Sequence, residues 1–177
     1  LQLEKSISKS MTEAVYFEMI NQKTASLIAT SCELGAITTT KDEKDRKATF
    51  DFGDNLGMAF QIKDDLFDLL GSERDTGKSG AGDVKRNMVT LPLVYSYSHL
   101  SKSGNRRLKN LMGKKNKTRK VLSDIRNTIE DAGGFEYARN KLDEFSNKAV
   151  DAISFYPESP VKKSLNDLVA FNAVRVK

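Results

Sequence analysis

The run Gly57-Met58-Ala59-Phe60-Gln61-Ile62-Lys63-Asp64-Asp65-Leu66-Phe67-Asp68 decides how the rest of the chain is read, because it sets three carboxylates inside an otherwise apolar stretch. Wound at about 100° per residue, Leu56, Ala59, Phe60, Ile62, Leu66, Phe67, Leu69 and Leu70 cover most of a helix's circumference, the pattern of an element packed on several sides. Gln61, Asp64, Asp65 and Asp68 share the remaining wedge. None of the three aspartates has a Lys or Arg three or four residues away, and Lys63 points to the opposite side, so no intrahelical ion pair neutralises them. Carboxylates crowded in a poorly solvated place must take up protons or gather an external cation. Oxygen donors without His or Cys suit Mg²⁺ or Mn²⁺ rather than zinc, and such a cation keeps coordination places for water and phosphate oxygens. A solvated acidic helix face has the same spacing, so the flanking segments must choose between the two readings.

Working outward, Ser10 and Glu13 have the spacing of a capping box. Apolar residues at Tyr16, Ile20, Leu27 and Leu34 predict one helix that ends at Gly35. Lys23 and Thr24 fall on that stripe, where a lysine either snorkels to water or waits at the rim of a cavity for an anion. Thr38 to Lys47 reads as a polar connector with Asp42 and Asp45 solvated, followed by the acidic helix from about Lys47 to Leu70, with Gly71 as its cap. Downstream, Ser72 to Asn87 combines Gly77, Gly80 and Gly82 with Arg74, Lys78, Lys85 and Arg86, a composition suited to covering a phosphate. Gly77-Lys78-Ser79 has neither the upstream glycine nor the preceding strand of a nucleotide-binding P-loop. Thr90 as N-cap and Pro92 in the first turn restart a helix. The basic run from Lys114 to Lys120 reads as a solvated face, and turns at Gly133-Gly134 and Pro157 to Pro160 separate the last helices. No strand-like alternation occurs, so the expected fold is all-α, one region spanning residues 1–177.

The totals fit that reading. With 38% hydrophobic and 30% charged residues the chain is a globular protein, and its net charge of +5 favours anionic ligands. It lacks the aromatic-and-basic interleaving of a nucleic-acid reader. Cys32 has no partner for an internal disulfide, lone His99 cannot build a histidine metal site, and no apolar run approaches a transmembrane span. A reducing cytoplasm is the expected location. The chain starts at Leu1 rather than Met, so a preceding segment cannot be judged.

In order, Lys23-Thr24-Ala25, Gly57-x-x-Phe60-Gln61-x-x-Asp64-Asp65-x-x-Asp68, Gly77-Lys78-Ser79 to Asp83, and Thr90-Leu91-Pro92 resemble the C-terminal motifs of trans-isoprenyl (polyprenyl) diphosphate synthases. The resemblance covers nearly the whole chain. It implies long helices around a deep central cavity and condensation of isopentenyl diphosphate with an allylic diphosphate, in a homodimer that uses Mg²⁺, or Mn²⁺ in its place. Asp64 matches the metal-binding aspartate of the family's second aspartate-rich motif, supported by Asp65 and Asp68. Lys23 and Lys78 match lysines that grip the allylic diphosphate, and Thr24 and Gln61 match polar groups facing the developing cation.

Two departures stand out. No second Asp-Asp-x-x-Asp is present, so the chain looks like the C-terminal half of the fold, with half of the metal ligands elsewhere. Met88 stands where family members commonly have a lysine before Thr-Leu-Pro, and Lys85 or Arg86 would have to supply that diphosphate contact. The rival expectations are a non-catalytic binding or regulatory subunit on the same scaffold and, more remotely, a terpene cyclase, which would lack the Lys-Thr-Ala and Thr-Leu-Pro segments. Product length is not legible, since residues beside the first motif set it in that family.

Overall fold

A computed structural model describes residues 12–70, 82–86 and 88–175, and among them there is helix and no strand. In chain order the helices are α1 (Glu13–Ile20), a π-helical turn (Asn21–Ala25), α2 (Ser26–Ile37), α3 (Glu43–Leu70), α4 (Gly82–Lys85), α5 (Leu91–His99), α6 (Lys102–Met112), α7 (Arg119–Asp131), α8 (Gly134–Ala152) and α9 (Pro160–Val174). No helix among the described residues is long and apolar enough to cross a membrane.

The helix starts depart from expectation in instructive ways. The capping oxygen of α1 is Thr12 Oγ1, which accepts from the Val15 amide, and the Ser10 expected in that role lies outside the described residues. Asp42, expected in a solvated loop, accepts from the Lys44 amide at 2.8 Å and starts α3 four residues earlier than Lys47. Asp45 is likewise engaged, accepting from the Tyr156 hydroxyl at 3.0 Å and from Thr40 at 3.1 Å. Helix α2 runs through Gly35 to Ile37, and the Thr38 hydroxyl donates to the Gly35 carbonyl.

The largest correction concerns the stripe predicted for one continuous helix. In the π turn the Ser26 amide reaches the Asn21 carbonyl, five residues back, so the turn holds one residue more than an α-helix allows. That extra residue rotates everything after it by about 100°. Leu27 and Leu34, in register with Tyr16 and Ile20 by sequence, are turned outward and are 72% and 56% exposed. Ala25, Ala29 and Ala36 take the inward positions instead.

The chain divides into two compact units. One comprises Phe17–Lys63 and Asn140–Arg175. Its core joins Phe52 and Leu56 of α3 to Ala149 of α8, Ile153 and Val169 of α9, with Cys32, Tyr156 and Leu165 packed around them. Gly57 lies so close to the π turn that a Cβ there would stand 2.5 Å from the Ala25 Cα, and glycine is required. The end of α9 is fixed by Lys63, whose Nζ donates to the Ala173 carbonyl, and by Arg175, whose guanidinium lies 4.2 Å over the Phe60 ring.

The other unit comprises residues 12–16 and the described part of Asp64–Arg139. In it α7 packs against α5 and α6, and Leu91, Leu93, Leu108, Met112, Ile125 and Ile129 are fully buried. Gly133, at φ 75°, makes the left-handed turn between α7 and α8.

Candidate active site

The acidic wedge is built at the C-terminal end of α3. Leu66 and Leu69 bury one side of this turn, which brings the carboxylates of the other side into partly desolvated surroundings. Asp65 is only 5% exposed. Its Oδ2 accepts a 2.7 Å hydrogen bond from the hydroxyl of Tyr16, itself wholly buried. The Leu91 amide, a first-turn donor of α5, directs a hydrogen bond to the same phenol oxygen. Burial above all, and then the negative charge of Asp65, hold the Tyr16 phenol well above its ordinary pKa, so it remains a donor. Tyr16 therefore ties α1, α3 and the start of α5 to one oxygen. Thr90 was expected to cap α5; it occupies the N-cap position with extended backbone, but its buried hydroxyl makes no capping hydrogen bond and has no partner among the described residues.

Asp68 closes onto backbone. Its Oδ1 accepts from the Gly82 amide and its Oδ2 from the Asp83 amide, both at 2.8 Å, meeting two otherwise orphaned donors at the start of α4. Burial raises the Asp68 pKa, against the opposing pull of the Asp83 and Gly82 amides and of Arg86, while the Asp83 charge adds to the rise. Asp64 is half-buried. The three expected metal ligands thus divide. Asp65 is buried against Tyr16, Asp68 is spent largely on amides, and Asp64 remains the member to which the resemblance assigns a metal.

Among the described residues no three His, Cys, Asp or Glu side chains gather closely enough to hold a metal by themselves. The donors nonetheless fit part of a hard-cation site. They are all carboxylate oxygens, the hard donor type that a divalent cation such as Mg²⁺ prefers. The remaining coordination places suit diphosphate oxygens and water.

In the other unit, the π turn presents a second set of expected residues. Lys23 is exposed. Thr24 Oγ1 donates to Gln61 Oε1 at 2.9 Å, and Gln61 is 8% exposed. Three successive levels of α3 hold the turn: the Asn21 side-chain Nδ2 donates to Asp54 Oδ1, Ala25 sits on Gly57, and Thr24 meets Gln61. Burial raises the Asp54 pKa and the Asn21 hydrogen bond opposes that rise. A π turn is a costly local geometry that persists only where contacts of this kind fix it.

The remaining expected residues are placed less fully. Arg86 is exposed and its guanidinium meets Asp83 at 2.9 Å. Lys85 belongs to α4, Lys78 and the loop glycines Gly77 and Gly80 lie outside the described residues, and Met88 is half-buried with its amide on the Asp83 carbonyl. Nothing in the residue pattern singles out Tyr16, Asn21 or Asp54 for these roles. Tyr16 reads as one more apolar helix position, and Asn21 and Asp54 are too far apart in the chain to suggest a pair.

With this geometry in place, the sequence matches the Polyprenyl synthetase family over residues 1–129. The chain belongs to that family. It is 31% identical, over 93% of its length, to heptaprenyl diphosphate synthase component 2 of Bacillus subtilis, of which it spans 46%. It is 30% identical, over 94% of its length, to the probable mitochondrial hexaprenyl pyrophosphate synthase of Neurospora crassa, of which it spans 36%. The polyprenyl synthase of Caulobacter crescentus, solved in complex with calcium and isoprenyl diphosphate, superposes with a TM-score of 0.89 at 28% identity, over 99% of this chain and 54% of that one. The chain thus spans between 36% and 54% of the length of these polyprenyl synthase relatives, and its all-α architecture is that of an isoprenoid synthase.

Proposed function

We propose that the whole protein condenses isopentenyl diphosphate with an allylic diphosphate to give a longer trans-polyprenyl diphosphate, as a homodimer located in the cytoplasm. The observation that carries this reading is the Thr24–Gln61 hydrogen bond on the π turn beside the exposed Lys23. The Thr24 hydroxyl spends its proton on Gln61, so its lone pairs are left to face positive charge. Those are the groups a developing allylic cation needs, next to a lysine that can hold the departing diphosphate.

In this reading Lys23, Lys78, Lys85 and Arg86 bind diphosphate oxygens, and charge neutralisation where the leaving group forms is the main source of acceleration. Asp64 holds Mg²⁺, with Mn²⁺ able to replace it, and Asp65 and Asp68 support that site through Tyr16 and the α4 amides. The bound cation supplies Lewis-acid stabilisation of the leaving diphosphate. Tyr16 holds Asp65 in one rotamer, while Asp68 holds the return of the chain at Gly82 and Asp83. Thr24 and Gln61 line the cation while the isopentenyl double bond attacks and a proton is lost.

The test is product analysis of the whole protein supplied with Mg²⁺, isopentenyl diphosphate and an allylic primer. A product longer than the primer by whole isoprene units supports the proposal, and its absence under all primers refutes it. The second reading, a non-catalytic subunit, rests on Met88 in place of a diphosphate-binding lysine. It predicts no product from the protein alone and restored synthesis when a catalytic subunit is added.

A further inference from the structure

The positive charge of this protein is concentrated in one stretch. Lys102 to Lys120 holds nine Lys and Arg and no Asp or Glu, which leaves twenty basic against twenty-four acidic residues elsewhere, a net of −4 outside a +9 segment. From Val84 to Ser123 there is no carboxylate at all. The structure lays this segment on one unit as α6, its connector and the first turn of α7, which packs on α6. The apolar side of α6, with Leu108, Leu111 and Met112, is buried, so the basic side faces outward. Arg106, Arg107, Lys114, Lys115, Arg119 and Lys120 are all exposed. Lys117 is turned inward, its Nζ on the Lys114 carbonyl, and Lys109 lies 5.9 Å from the Tyr97 ring. Among the described residues Arg106, Arg107, Lys114 and Lys115 enter no ion pair, and the first carboxylate downstream is the half-buried Asp124.

We propose that this face docks the protein on an anionic lipid bilayer. A cluster of this size is what a negatively charged membrane surface attracts, each residue adding to the binding. The stretch offers no exposed aromatic ring on which a nucleic-acid base could stack. With its apolar side buried in the protein, α6 does not insert, so the contact is electrostatic and reversible. The choice of a bilayer over other polyanions rests on the proposed activity, whose product carries an apolar polyprenyl chain with an affinity for lipid.

The experiment is co-sedimentation of the whole protein with phosphatidylcholine vesicles, with and without phosphatidylglycerol. Binding should require the anionic lipid and fall steeply as salt shortens the screening length. The combined variant Arg106→Gln, Arg107→Gln, Lys114→Gln, Lys115→Gln should bind at least about 100-fold more weakly. A control with Lys41→Gln, Lys47→Gln, Lys148→Gln and Lys163→Gln, all exposed and elsewhere, should bind nearly as well as the parent. Equal binding to neutral vesicles, or equal loss in the control, overturns the proposal. Tighter retention of a mixed-sequence RNA or of polyglutamate than of the vesicles at equal salt also overturns it. Prenyl transfer to a short, water-soluble primer is read separately and should be unchanged in the patch variant. Failure of that reaction in the parent defeats the proposed activity and leaves the vesicle result standing on its own.

Discussion

Gly57→Ala tests the seat of the π turn. The new methyl would lie 2.5 Å from the Ala25 Cα, 2.9 Å from its Cβ and 3.4 Å from its amide nitrogen. Two of these are backbone atoms, so no side-chain rotation relieves the clash, and α3 must retreat from the turn by about 1 Å to restore ordinary contact. Overpacking of this kind costs about 1–3 kcal/mol, against which alanine's better helix propensity returns at most about 1 kcal/mol. A net loss of about 1–2 kcal/mol should appear in urea unfolding of the whole protein. Because the retreat separates Thr24 from Gln61 one turn further along α3, turnover should fall by more than the stability loss accounts for. Gly35→Ala is the internal control: nothing lies within 4 Å of a Cβ there, so the same substitution in α2 should raise stability by about 0.5–1 kcal/mol. If Gly57→Ala matches Gly35→Ala in stability and leaves turnover intact, the close seat on Ala25 is not what holds the turn.

Tyr16→Phe keeps the ring's packing and removes only the hydroxyl between Asp65 and the Leu91 amide, so urea unfolding should show a loss of about 1.5–3 kcal/mol, the range for a hydrogen bond to a charged group; a loss under about 0.5 kcal/mol would contradict the hub. The Tyr97 hydroxyl is buried without a partner among the described residues, and burial pushes its pKa up to about 12. The folded state therefore keeps that proton between pH 10 and 12 while the unfolded state releases it, and stability falls as pH rises through this window, by at most about 1.4 kcal/mol per pH unit. Tyr97→Phe should leave neutral-pH stability unchanged or slightly higher and flatten the alkaline fall, which unfolding at several pH values would measure; an unchanged slope would show that Tyr97 is not the group responsible.

The helical class and the buried face of α3 were legible because period-3.6 hydrophobicity is a local signal. Leu56, Ala59, Ile62, Leu66 and Leu69 are buried as the pattern requires, whereas Phe67 is half-buried and Phe60 and Leu70, expected to pack with them, are exposed, so α3 is packed on fewer sides than its apolar positions suggest. The π turn was not legible, because nothing in Asn-Gln-Lys-Thr-Ala announces an extra residue; contacts from Asp54, Gly57 and Gln61 impose it. That one turn explains why Leu27 and Leu34 face outward. Thr90 shows the converse, a residue with capping chemistry whose task passes to Tyr16. The acidic wedge was recognisable as a group, but its division of labour was not. Asp65 and Asp68 look alike in sequence, and only the fold gives one to a buried phenol and the other to two amides.

In the proposed reaction Asp64 serves chemistry rather than folding, and the direct measurement is Asp64→Ala in the whole protein, with metal-dependent release of diphosphate and urea unfolding read on the same preparation. The prediction is a fall in turnover of about 10²–10³-fold with an unfolding midpoint close to that of the parent. Turnover that persists, or a loss of stability as large as the loss of activity, would contradict it.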